Sequence, residues 1–291
     1  MKKNLFYTAM TAFMTAALLS GCSASAPEST AAVSDSPESV SASSDSAPKD
    51  IQKIVDRGVL KVGCKSDVPK FSLLNTSTGE YEGFENDLAY EIAGEIFNCT
   101  PEEAKEKQLV EFQGVTAKTR GPLLENGEID LVIATFTITD ERKETYNFST
   151  PYYTDAVGLL VNNDSGINTL EDLDGKIIGV AQSSTTKEGF KADAEEKGLD
   201  ITPQFQEFDG YPALAQALAT KQIDCFSVDG AILLGYVNDS NHLMDERFAQ
   251  QDYGVAAAKE NTELAELVDA KIKSMLSDGT MDTLKAQWGL E

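Results

Sequence analysis

A short segment places hydroxyl side chains and an arginine directly after a buried strand. Residues 131–134 form a continuous apolar run, which is typical of such a strand. Thr135, Thr137 and Thr139 follow, and Arg142 comes three residues after Thr139. Thr139 suits the N-cap of a short helix, whose first backbone N–H groups have no partner within the helix. With the planar fork of Arg142, these groups predict a site for a carboxylate. The alternative is a surface ion pair of Arg142 beside ordinary strand-end threonines.

Four further polar groups lie at or near the C-terminal ends of predicted strands, where ligands bind in open α/β sheets. They are Lys65, the triplet Lys118-Thr119-Arg120, residues 183–186 (SSTT) and Asp229. Each of them alone has an ordinary explanation, such as a solvated lysine or a helix cap. As a set they supply cations, one anion and several hydroxyls. Such a set suits a zwitterion that carries an additional negative charge.

The composition excludes several functional classes. Acidic residues outnumber basic residues by 48 to 24, and the net charge of −24 argues against nucleic-acid binding, which needs basic patches. The chain has one histidine, His242, and four cysteines without a CxxC pair. A zinc site and a Cys–His or Ser–His catalytic pair therefore have little support. We predict neither a metal nor a cofactor, and no catalytic residue.

The first 49 residues have the pattern of export and tethering segments. Two lysines precede an apolar stretch that is too short for a transmembrane helix, and residues 19–22 (LSGC) match a lipobox. In bacterial lipoproteins cleavage occurs before this cysteine and its sulfur is lipidated; a plain secretory signal is the alternative. Residues 23–49 lack aromatic residues and periodicity, which predicts a disordered tether. We expect an extracytoplasmic protein whose only membrane attachment is lipid on Cys22.

The remaining residues alternate between strands and helices. The clearest helix covers 84–97, with apolar side chains at steps of three and four. With strands at 59–64, 109–112 and 131–134, the order is βαβαβ, typical of a mostly parallel sheet with helices on both faces. A second αβ series occupies 157–236. We also predict a loop over 65–69, a turn at 80–83, a helix over 117–126 and one continuous strand over 253–258.

Residues 50–291 resemble the family 3 extracellular solute-binding proteins, which capture amino acids for ABC importers. The resemblance is carried by TFTITDER at 135–142 and YNFSTPYY at 146–153. Within that family, GCKSDVPKFSLL, VTAKTRGPLL and IDCFSVDGAILLGYV are most similar to the aspartate/glutamate-binding branch. The resemblance implies a two-lobed, type II periplasmic-binding-protein-like α/β fold, with two mostly parallel sheets joined by hinge strands near 155–159 and 251–255. Lobe 1 would comprise 50–156 and 254–291, and lobe 2 would comprise 157–253.

The resemblance also implies a role for each candidate ligand-binding residue. In the family, the arginine at the position of Arg142 holds the ligand's α-carboxylate, here with the N–H of Thr137 and the amides of residues 185–186. Asp229 would accept hydrogen bonds from the α-ammonium, helped by the carbonyl of Thr135 and the hydroxyl of Thr137. The implied ligand-binding residues are Lys65, Arg120, Thr135, Thr137, Arg142, Thr185, Thr186, Tyr211 and Asp229.

Specificity would depend on the group that surrounds the ligand's side chain. Arg120 would pair with a side-chain carboxylate, with Lys65 and the hydroxyl of Tyr211 nearby. Many relatives that bind larger or uncharged side chains stack them between two aromatic residues. The corresponding positions here are Val68 and Ala117, which suits a small charged ligand. The implied function is therefore capture of aspartate or glutamate by hinge closure, and delivery to the permease of an ABC importer.

Several alternatives stay open at this stage. A neutral polar amino acid, glutamine or cysteine, could be the ligand in the same role. An enzyme on the same fold, such as a dehydratase, and a surface sensor without a transporter are further alternatives. Cys64 and Cys225 are expected to be buried free thiols because they lie on strands of different lobes. A disulfide between two of Cys64, Cys99 and Cys225 is the alternative. We expect a monomer.

Overall fold

The computed structural model describes residues 49–291, in which strands and helices alternate as the sequence predicts. The signal, the lipobox cysteine Cys22 and nearly all of the tether lie outside the described residues. Lys49, predicted as the last residue of the tether, is the first residue of a helix. Among the helices of residues 49–291, none is long and apolar enough to cross a bilayer.

Most of the strands are short, and β11 ends at Asp229, a residue of the candidate site. In chain order they are β1 (Leu60–Cys64), β2 (Asp67–Val68), β3 (Ser72–Leu74), β4 (Tyr81–Glu82), β5 (Val110–Gly114), β6 (Leu131–Val132), β7 (Tyr146–Phe148), β8 (Tyr153–Asn162), β9 (Ile177–Ala181), β10 (Gln204–Phe208), β11 (Cys225–Asp229), β12 (Asn241–Leu243), β13 (Phe248–Tyr253) and β14 (Ala256–Ala258).

The helices cover the faces of the sheets. They are α1 (Lys49–Arg57), α2 (Phe84–Phe97), α3 (Pro101–Glu106), α4 (Arg120–Glu125), α5 (Asp140–Thr145), α6 (Thr186–Glu196), α7 (Tyr211–Ala219), α8 (Gly230–Leu233), α9 (Thr262–Asp278) and α10 (Thr280–Gln287), with a 3₁₀ turn at Glu171–Leu173.

Lobe 1 is built on a five-stranded sheet with the strand order β5-β1-β6-β14-β7. Its first three strands pair in parallel, and β14 is antiparallel to both β6 and β7. The parallel pairing brings the C-terminal ends of β1, β5 and β6 to one edge, as the βαβαβ order predicts. Lys65, Arg120 and Thr135 follow these three strands along the chain. The predicted parallel strands with helices packed against them are confirmed. β14 and β7 extend the sheet on one side through antiparallel pairing.

Lobe 2 repeats the arrangement with a sheet in the order β10-β9-β11-β8-β12. β9 pairs in parallel with β10 and with β11, whereas β8 is antiparallel to β11 and β12. Residues 183–186 follow β9, Tyr211 follows β10, and Asp229 ends β11. The parallel strands of both lobes therefore direct their C-terminal ends toward candidate ligand-binding residues.

Two antiparallel strands connect the lobes. β8 and β13 pair from Tyr153 opposite Tyr253 to Val157 opposite Phe248, and β14 then returns the chain to the sheet of lobe 1. This agrees with the two-lobed architecture implied by the resemblance. The residue at which each lobe begins stays a prediction.

Helix α2 has the predicted bounds and buries the predicted apolar face. Phe84, Leu88, Ala89 and Ile92 are fully buried, and Phe84 packs against the ring of Tyr152. Burial of a Phe, Leu or Ile side chain contributes about 1.5–3 kcal/mol. The packing therefore holds α2 firmly in place beside Lys65 and Thr135, at the edge of the sheet.

Four local predictions were wrong or incomplete. The 65–69 loop contains β2 and the 80–83 turn contains β4, because these segments pair with β3 in a separate three-stranded sheet. The helix predicted over 117–126 begins at Arg120. The strand predicted over 253–258 is interrupted, with β13 and β14 belonging to different sheets. Helix α3 and strand β12 were missed.

The three cysteines within residues 49–291 are free thiols, as expected for Cys64 and Cys225. Cys64 and Cys225 are fully buried on strands of different lobes, and Cys99 is partly buried. Burial raises the pKa of the Cys64 thiol to about 12, which makes this sulfur unreactive at neutral pH.

Gly83 fixes the start of α2, and its replacement tests how firmly that helix is held. Its φ is +148°, and a Cβ atom there would lie 2.2 Å from the carbonyl oxygen of Phe71. Because backbone must move to relieve this overlap, we expect Gly83→Ala to lower the free energy of unfolding by about 3 kcal/mol or more. Urea denaturation measures the change.

Gly79→Ala is the matched control for this prediction. Gly79 also has a positive φ, +78°, but a Cβ there meets no atom within 4 Å. Its replacement should cost only the strain of a left-handed backbone, about 1–2 kcal/mol. Equal losses for the two variants would contradict the argument from the Gly83 overlap.

Candidate ligand-binding site

The backbone of Thr135 lies at the centre of the part of the site that lobe 1 contributes. It lies just beyond β6, is buried, and has a φ of +46°, which a β-branched residue rarely adopts. Its N–H donates to Oε1 of Glu85 at 2.6 Å, and its carbonyl accepts from Arg120 at 3.0 Å. Such a conformation costs about 1–3 kcal/mol and persists only where its surroundings hold it. Here a buried carboxyl and a guanidinium hold it from both sides.

Arg120 is a buried cation without a carboxylate partner in the described chain. It is 3% exposed, and its Nη1 donates to the carbonyls of Ala134 at 2.6 Å and Thr135 at 3.0 Å. Its guanidinium carbon lies 4.2 Å from the ring centre of Phe136. Its Nε has no hydrogen-bond partner, and no ion pair formed among residues 49–291 includes it. Burial lowers its pKa.

Arg142 reaches from lobe 1 to lobe 2. As predicted, Thr139 caps α5 by accepting from the N–H of Arg142 at 3.1 Å. The guanidinium donates to the carbonyl of Thr137 at 2.8 Å and, across the cleft, to that of Ser183 at 3.0 Å. Burial, followed by the charge of Arg120, lowers its pKa to about 9. The surface ion pair considered as an alternative is absent from the described part of the chain.

Asp229 is the anion of the site. It ends β11 and accepts a hydrogen bond from the hydroxyl of Tyr253. It is 6% exposed, and burial raises its pKa to about 7 despite the opposing hydrogen bond. A cation that enters the site is therefore attracted to a carboxylate that has lost most of its hydration.

Lys65 and Tyr211 form a buried pair between the lobes. The Nζ of Lys65 lies 4.3 Å from the ring centre of Tyr211 and 3.2 Å from a carboxylate oxygen of Asp67. Lys65 is 1% exposed, and burial lowers its pKa, with Asp67 opposing the shift. Lys65 therefore already has a counter-ion, unlike Arg120 and Arg142.

Gln251, on β13, joins the hydroxyl groups of the two lobes. Its Oε1 accepts from Oγ1 of Thr137 at 2.7 Å and from Oγ1 of Thr185 at 2.8 Å, and its Nε2 donates to the carbonyl of Ala249. A single buried side chain on a connecting strand thus contacts one threonine of each lobe.

The two lobes meet in a small cavity that adjoins a wider cleft. The cavity has a volume of about 10 Å³, close to the smallest that can hold one water molecule. The cleft has a volume of about 840 Å³ and includes Arg142. The residues that line the small cavity are Ala117, Arg120, Thr135, Thr137, Ser184, Thr185, Thr186, Tyr211, Val228 and Asp229. An amino acid can enter only if the lobes move apart.

Comparison with known proteins identifies the class to which this site belongs. The model of the bacterial extracellular solute-binding proteins, family 3, matches residues 60–291. The chain belongs to this family. It is therefore an amino-acid-binding, extracytoplasmic component of the kind that serves ABC importers.

Individual relatives and structures agree with this assignment. The chain is 32% identical over 289 residues to the ABC transporter glutamine-binding protein GlnH of Bacillus subtilis, covering 98% of this chain and 97% of the relative. It is 38% identical over 213 residues to the glutamine-binding protein of Geobacillus stearothermophilus, covering 72% and 76%. An ancestral arginine-binding protein bound to glutamine superposes with a TM-score of 0.68 and 34% identity, covering 81% of this chain and 99% of that one.

The solute-binding protein brings together the residues predicted from its sequence. All nine predicted ligand-binding residues except Lys65 and Arg142 line the small cavity; Arg142 lines the adjoining cleft and Lys65 packs against Tyr211. Of the two positions that the resemblance places against the ligand's side chain, Ala117 lines the cavity, whereas Val68 is buried in β2 and is not part of its lining. Their roles toward a ligand stay predictions.

Sequence reasoning missed Glu85 and Gln251. Glu85 lies on the apolar face of α2, one turn before Leu88 and Ala89, so a charged residue at a buried helical position was a usable signal. Gln251 lies in a polar strand that carried no strong pattern. His242 is exposed on β12 and hydrogen-bonds to Asn163, so the chain's only histidine is outside the cavity.

Proposed function

We propose that this protein is the lipid-anchored binding component of an ABC importer for an acidic L-amino acid. The anchor would be lipid on Cys22, at the lipobox LSGC. The ligand would dock between the lobes, whose closure would create the surface that the permease recognises.

The observation that best supports an acidic ligand is the burial of Arg120 without a carboxylate partner among residues 49–291. A buried guanidinium without a carboxylate partner in the described chain is costly, and an acidic side chain in the cavity would provide that partner. The free Nε of Arg120 and the free hydroxyl of Thr135 are further groups for a polar ligand to satisfy. Lys65 and Tyr211 complete this side-chain subsite.

The remaining groups suit the ends shared by all L-amino acids. Arg142, the N–H of Thr137 and the amides of residues 185–186 would hold the α-carboxylate. Asp229 would accept from the α-ammonium, together with the carbonyl of Thr135. We expect these contacts to give a Kd near the micromolar range, about 8 kcal/mol of binding free energy.

Glutamine is the second candidate, and two observations favour it. Lys65 is already paired with Asp67, which reduces the need for a ligand carboxylate. Relatives named as glutamine-binding proteins are 32% and 38% identical to this chain. A carboxamide oxygen would then accept from Arg120.

Isothermal titration of the purified protein against L-aspartate, L-glutamate, L-glutamine and L-cysteine tests the proposal. Tight binding of an acidic ligand with much weaker binding of glutamine would support the assignment of Arg120. Preference for glutamine or cysteine would keep the transport role and overturn the acidic ligand. Turnover of any bound ligand to a new product, followed by mass spectrometry, would instead reveal an enzyme.

The raised pKa of Asp229 predicts how binding depends on pH. An α-ammonium is bound by the ionised carboxylate, so binding releases a proton wherever Asp229 is protonated in the free protein. With its pKa at about 7, the Kd for L-glutamine should rise below that pH, approaching about tenfold per pH unit, and should level off above it. Titrations between about pH 5.5 and 8 measure this slope.

Two variants accompany this measurement. Asp229→Asn should bind more weakly and lose the slope. His242→Gln, at an exposed position outside the cavity, should retain the slope. A slope that survives in Asp229→Asn would show that another group is responsible.

A further inference from the structure

Glu85 is a fully buried carboxyl that lies behind the proposed side-chain subsite. It is 0% exposed. Its Oε1 accepts from the N–H of Thr135 and from the hydroxyl of Tyr152, both at 2.6 Å, whereas its Oε2 has no hydrogen-bond partner. A buried carboxyl with one unsatisfied oxygen is rare enough to require an explanation.

The fold holds this carboxyl in place from several sides. Glu85 is in the first turn of α2, and its own N–H donates to the carbonyl of Phe71 at 2.9 Å. The next residue along the chain, Asn86, is also buried with an unpartnered side chain. The carboxyl of Glu85 therefore cannot rotate into water. Whether it is ionised or neutral is decided by its buried surroundings.

Thr135 connects this carboxyl to the cation of the subsite. Its N–H is bonded to Glu85, and its carbonyl is bonded to Arg120. The groups that act on Glu85 are Tyr152 and Thr135 by hydrogen bonds and Arg120, Lys65 and the thiol of Cys64 through space. Burial is the largest influence and raises the pKa of Glu85, while the hydrogen bonds and the two cations oppose the rise.

The charges of the site balance only for one state of Glu85 with each kind of ligand. The charged groups counted here are the cations Lys65, Arg120 and Arg142 and the anions Asp67, Glu85 and Asp229. Asp155, behind Asp229, is left out of the sum because it accepts from the N–H groups of Ala156 and Ala231 and is balanced by Arg247. With Glu85 ionised their sum is zero, which matches a ligand without net charge, such as glutamine. With Glu85 neutral the sum is +1, which matches glutamate or aspartate. An uncompensated charge in a closed site costs several kcal/mol.

We propose that Glu85 is a specificity-determining residue of the solute-binding protein, and that its carboxyl takes up a proton when an acidic amino acid closes the site but stays ionised when a carboxamide does. The inference rests on the proposed function, because it needs a ligand at Arg120. The proton comes from solvent and remains on the carboxyl without leaving the complex. Glu85 acts through Thr135 and Arg120 and does not touch the ligand.

The sign of the resulting pH dependence follows from this uptake. Where Glu85 is ionised in the free protein, a rising pH opposes proton uptake and weakens the binding of an acidic ligand, by up to about tenfold per pH unit. Release of a proton from Asp229 acts on every amino acid, so it cancels between two ligands that differ only in the side-chain group. The ratio of the Kd values for glutamine and glutamate, or for asparagine and aspartate, therefore isolates Glu85.

The test is isothermal titration of the purified protein with each acid and its amide, in buffers with different ionisation enthalpies. The dependence of the observed enthalpy on the buffer gives the number of protons bound. Weakly bound ligands are measured by displacement of a tightly bound one. The measurements are made between about pH 6 and 8, where the side-chain carboxyls of the free acidic ligands are ionised. Binding of the acid should be accompanied by uptake of as much as about one proton more than binding of its amide.

Two variants make the result decisive. Glu85→Gln keeps an oxygen for Thr135 and Tyr152, and it should remove the difference in protons and make the Kd ratio independent of pH. Glu95→Gln is the matched control, because Glu95 is an exposed carboxyl on the same helix without a hydrogen bond or ion pair in the described chain; it should behave as the wild type.

The possible outcomes separate this inference from the proposed function. Equal proton numbers for acid and amide in the wild type would overturn it even if Glu85→Gln failed to fold. A difference that persists in Glu85→Gln would also overturn it. If none of the four ligands binds, the proposed function fails and the inference falls with it, whereas a wild-type protein that binds them without a proton difference loses only the inference.

Discussion

Replacing Arg142 with alanine is expected to raise the Kd for every amino acid ligand by about 100-fold or more. The guanidinium is the only cation placed to pair with the α-carboxylate in the proposed arrangement, and that carboxylate is common to all candidate ligands. Removing one partner of a buried ion pair costs about 3–5 kcal/mol. That cost corresponds to a change in Kd of about two to nearly four orders of magnitude. Isothermal titration with glutamate and glutamine measures it.

The loss should be nearly the same for the acid and for the amide, because Arg142 is assigned to the shared end of the ligand. Lys143→Ala is the matched control, since Lys143 is the next residue of α5 and its side chain is 56% exposed. This control should bind as the wild type does. An Arg142→Ala variant that binds within about threefold of the wild type would contradict the assignment of the α-carboxylate.

An Arg142→Lys variant separates charge from geometry. It keeps a cation but cannot reproduce the two parallel hydrogen bonds of a guanidinium. It also cannot hold both the carbonyl of Thr137 and that of Ser183 in the same way. We therefore expect an affinity between those of the wild type and of Arg142→Ala.

Much of the site was predictable because parallel strands bring their C-terminal ends to one edge. The sequence showed which residues lie at or after the end of each strand, and the positions after β1, β6 and β9 and at the end of β11 were all identified. The N-cap role of Thr139 was predictable from a pattern that spans only three residues. The exact bounds of α2 followed from an apolar periodicity that is local to the helix.

What the sequence did not reveal depends on contacts between distant segments. The bond between Glu85 and Thr135 joins residues that are 50 positions apart, and Gln251 lies 114 positions from Thr137. No periodicity within either segment reports such a pairing. The small sheet of β2, β3 and β4 was missed for a different reason: its strands are close in sequence but too short to carry an alternating pattern.

Helix α3 was missed although local signals were present. Thr100 and Glu103 form a capping box, and Pro101 occupies the first helical turn. The helix covers only Pro101–Glu106 and buries one side chain, Ala104, so it has almost no apolar face. Its capping signals are stronger than its hydrophobic pattern.

Replacing Arg120 with alanine is expected to change which amino acid binds. In the proposed arrangement Arg120 pairs only with the ligand's side chain, so its loss should weaken the binding of an acidic ligand by about 3–5 kcal/mol, a factor of about 100 or more. Glutamine should lose much less, because a neutral carboxamide leaves no unpaired charge when the cation is removed. The measured quantity is the ratio of the two Kd values, obtained by titration.

The comparison of two ligands also controls for structural damage. Arg120 donates to the carbonyls of Ala134 and Thr135, so its removal loosens a strained backbone that both ligands contact. That loosening should raise both Kd values together and leave their ratio unchanged. Lys118→Ala, at an exposed position two residues earlier, should change neither value.

The ligand that the wild type prefers, and the change in the Kd ratio caused by Arg120→Ala, decide between the two candidate ligands. If the wild type prefers the acid and Arg120→Ala removes the preference, Arg120 is the group that selects a carboxylate. If the wild type prefers glutamine, Arg120 is balanced by Glu85 within the protein, and Arg120→Ala should leave Glu85 as an unpaired buried anion. In that case the variant should reject the acid still more strongly than the wild type does. The ligand's carboxylate would lie in front of the buried Glu85 carboxyl with the guanidinium gone, and Lys65, which is already paired with Asp67, would be the cation left nearby among residues 49–291.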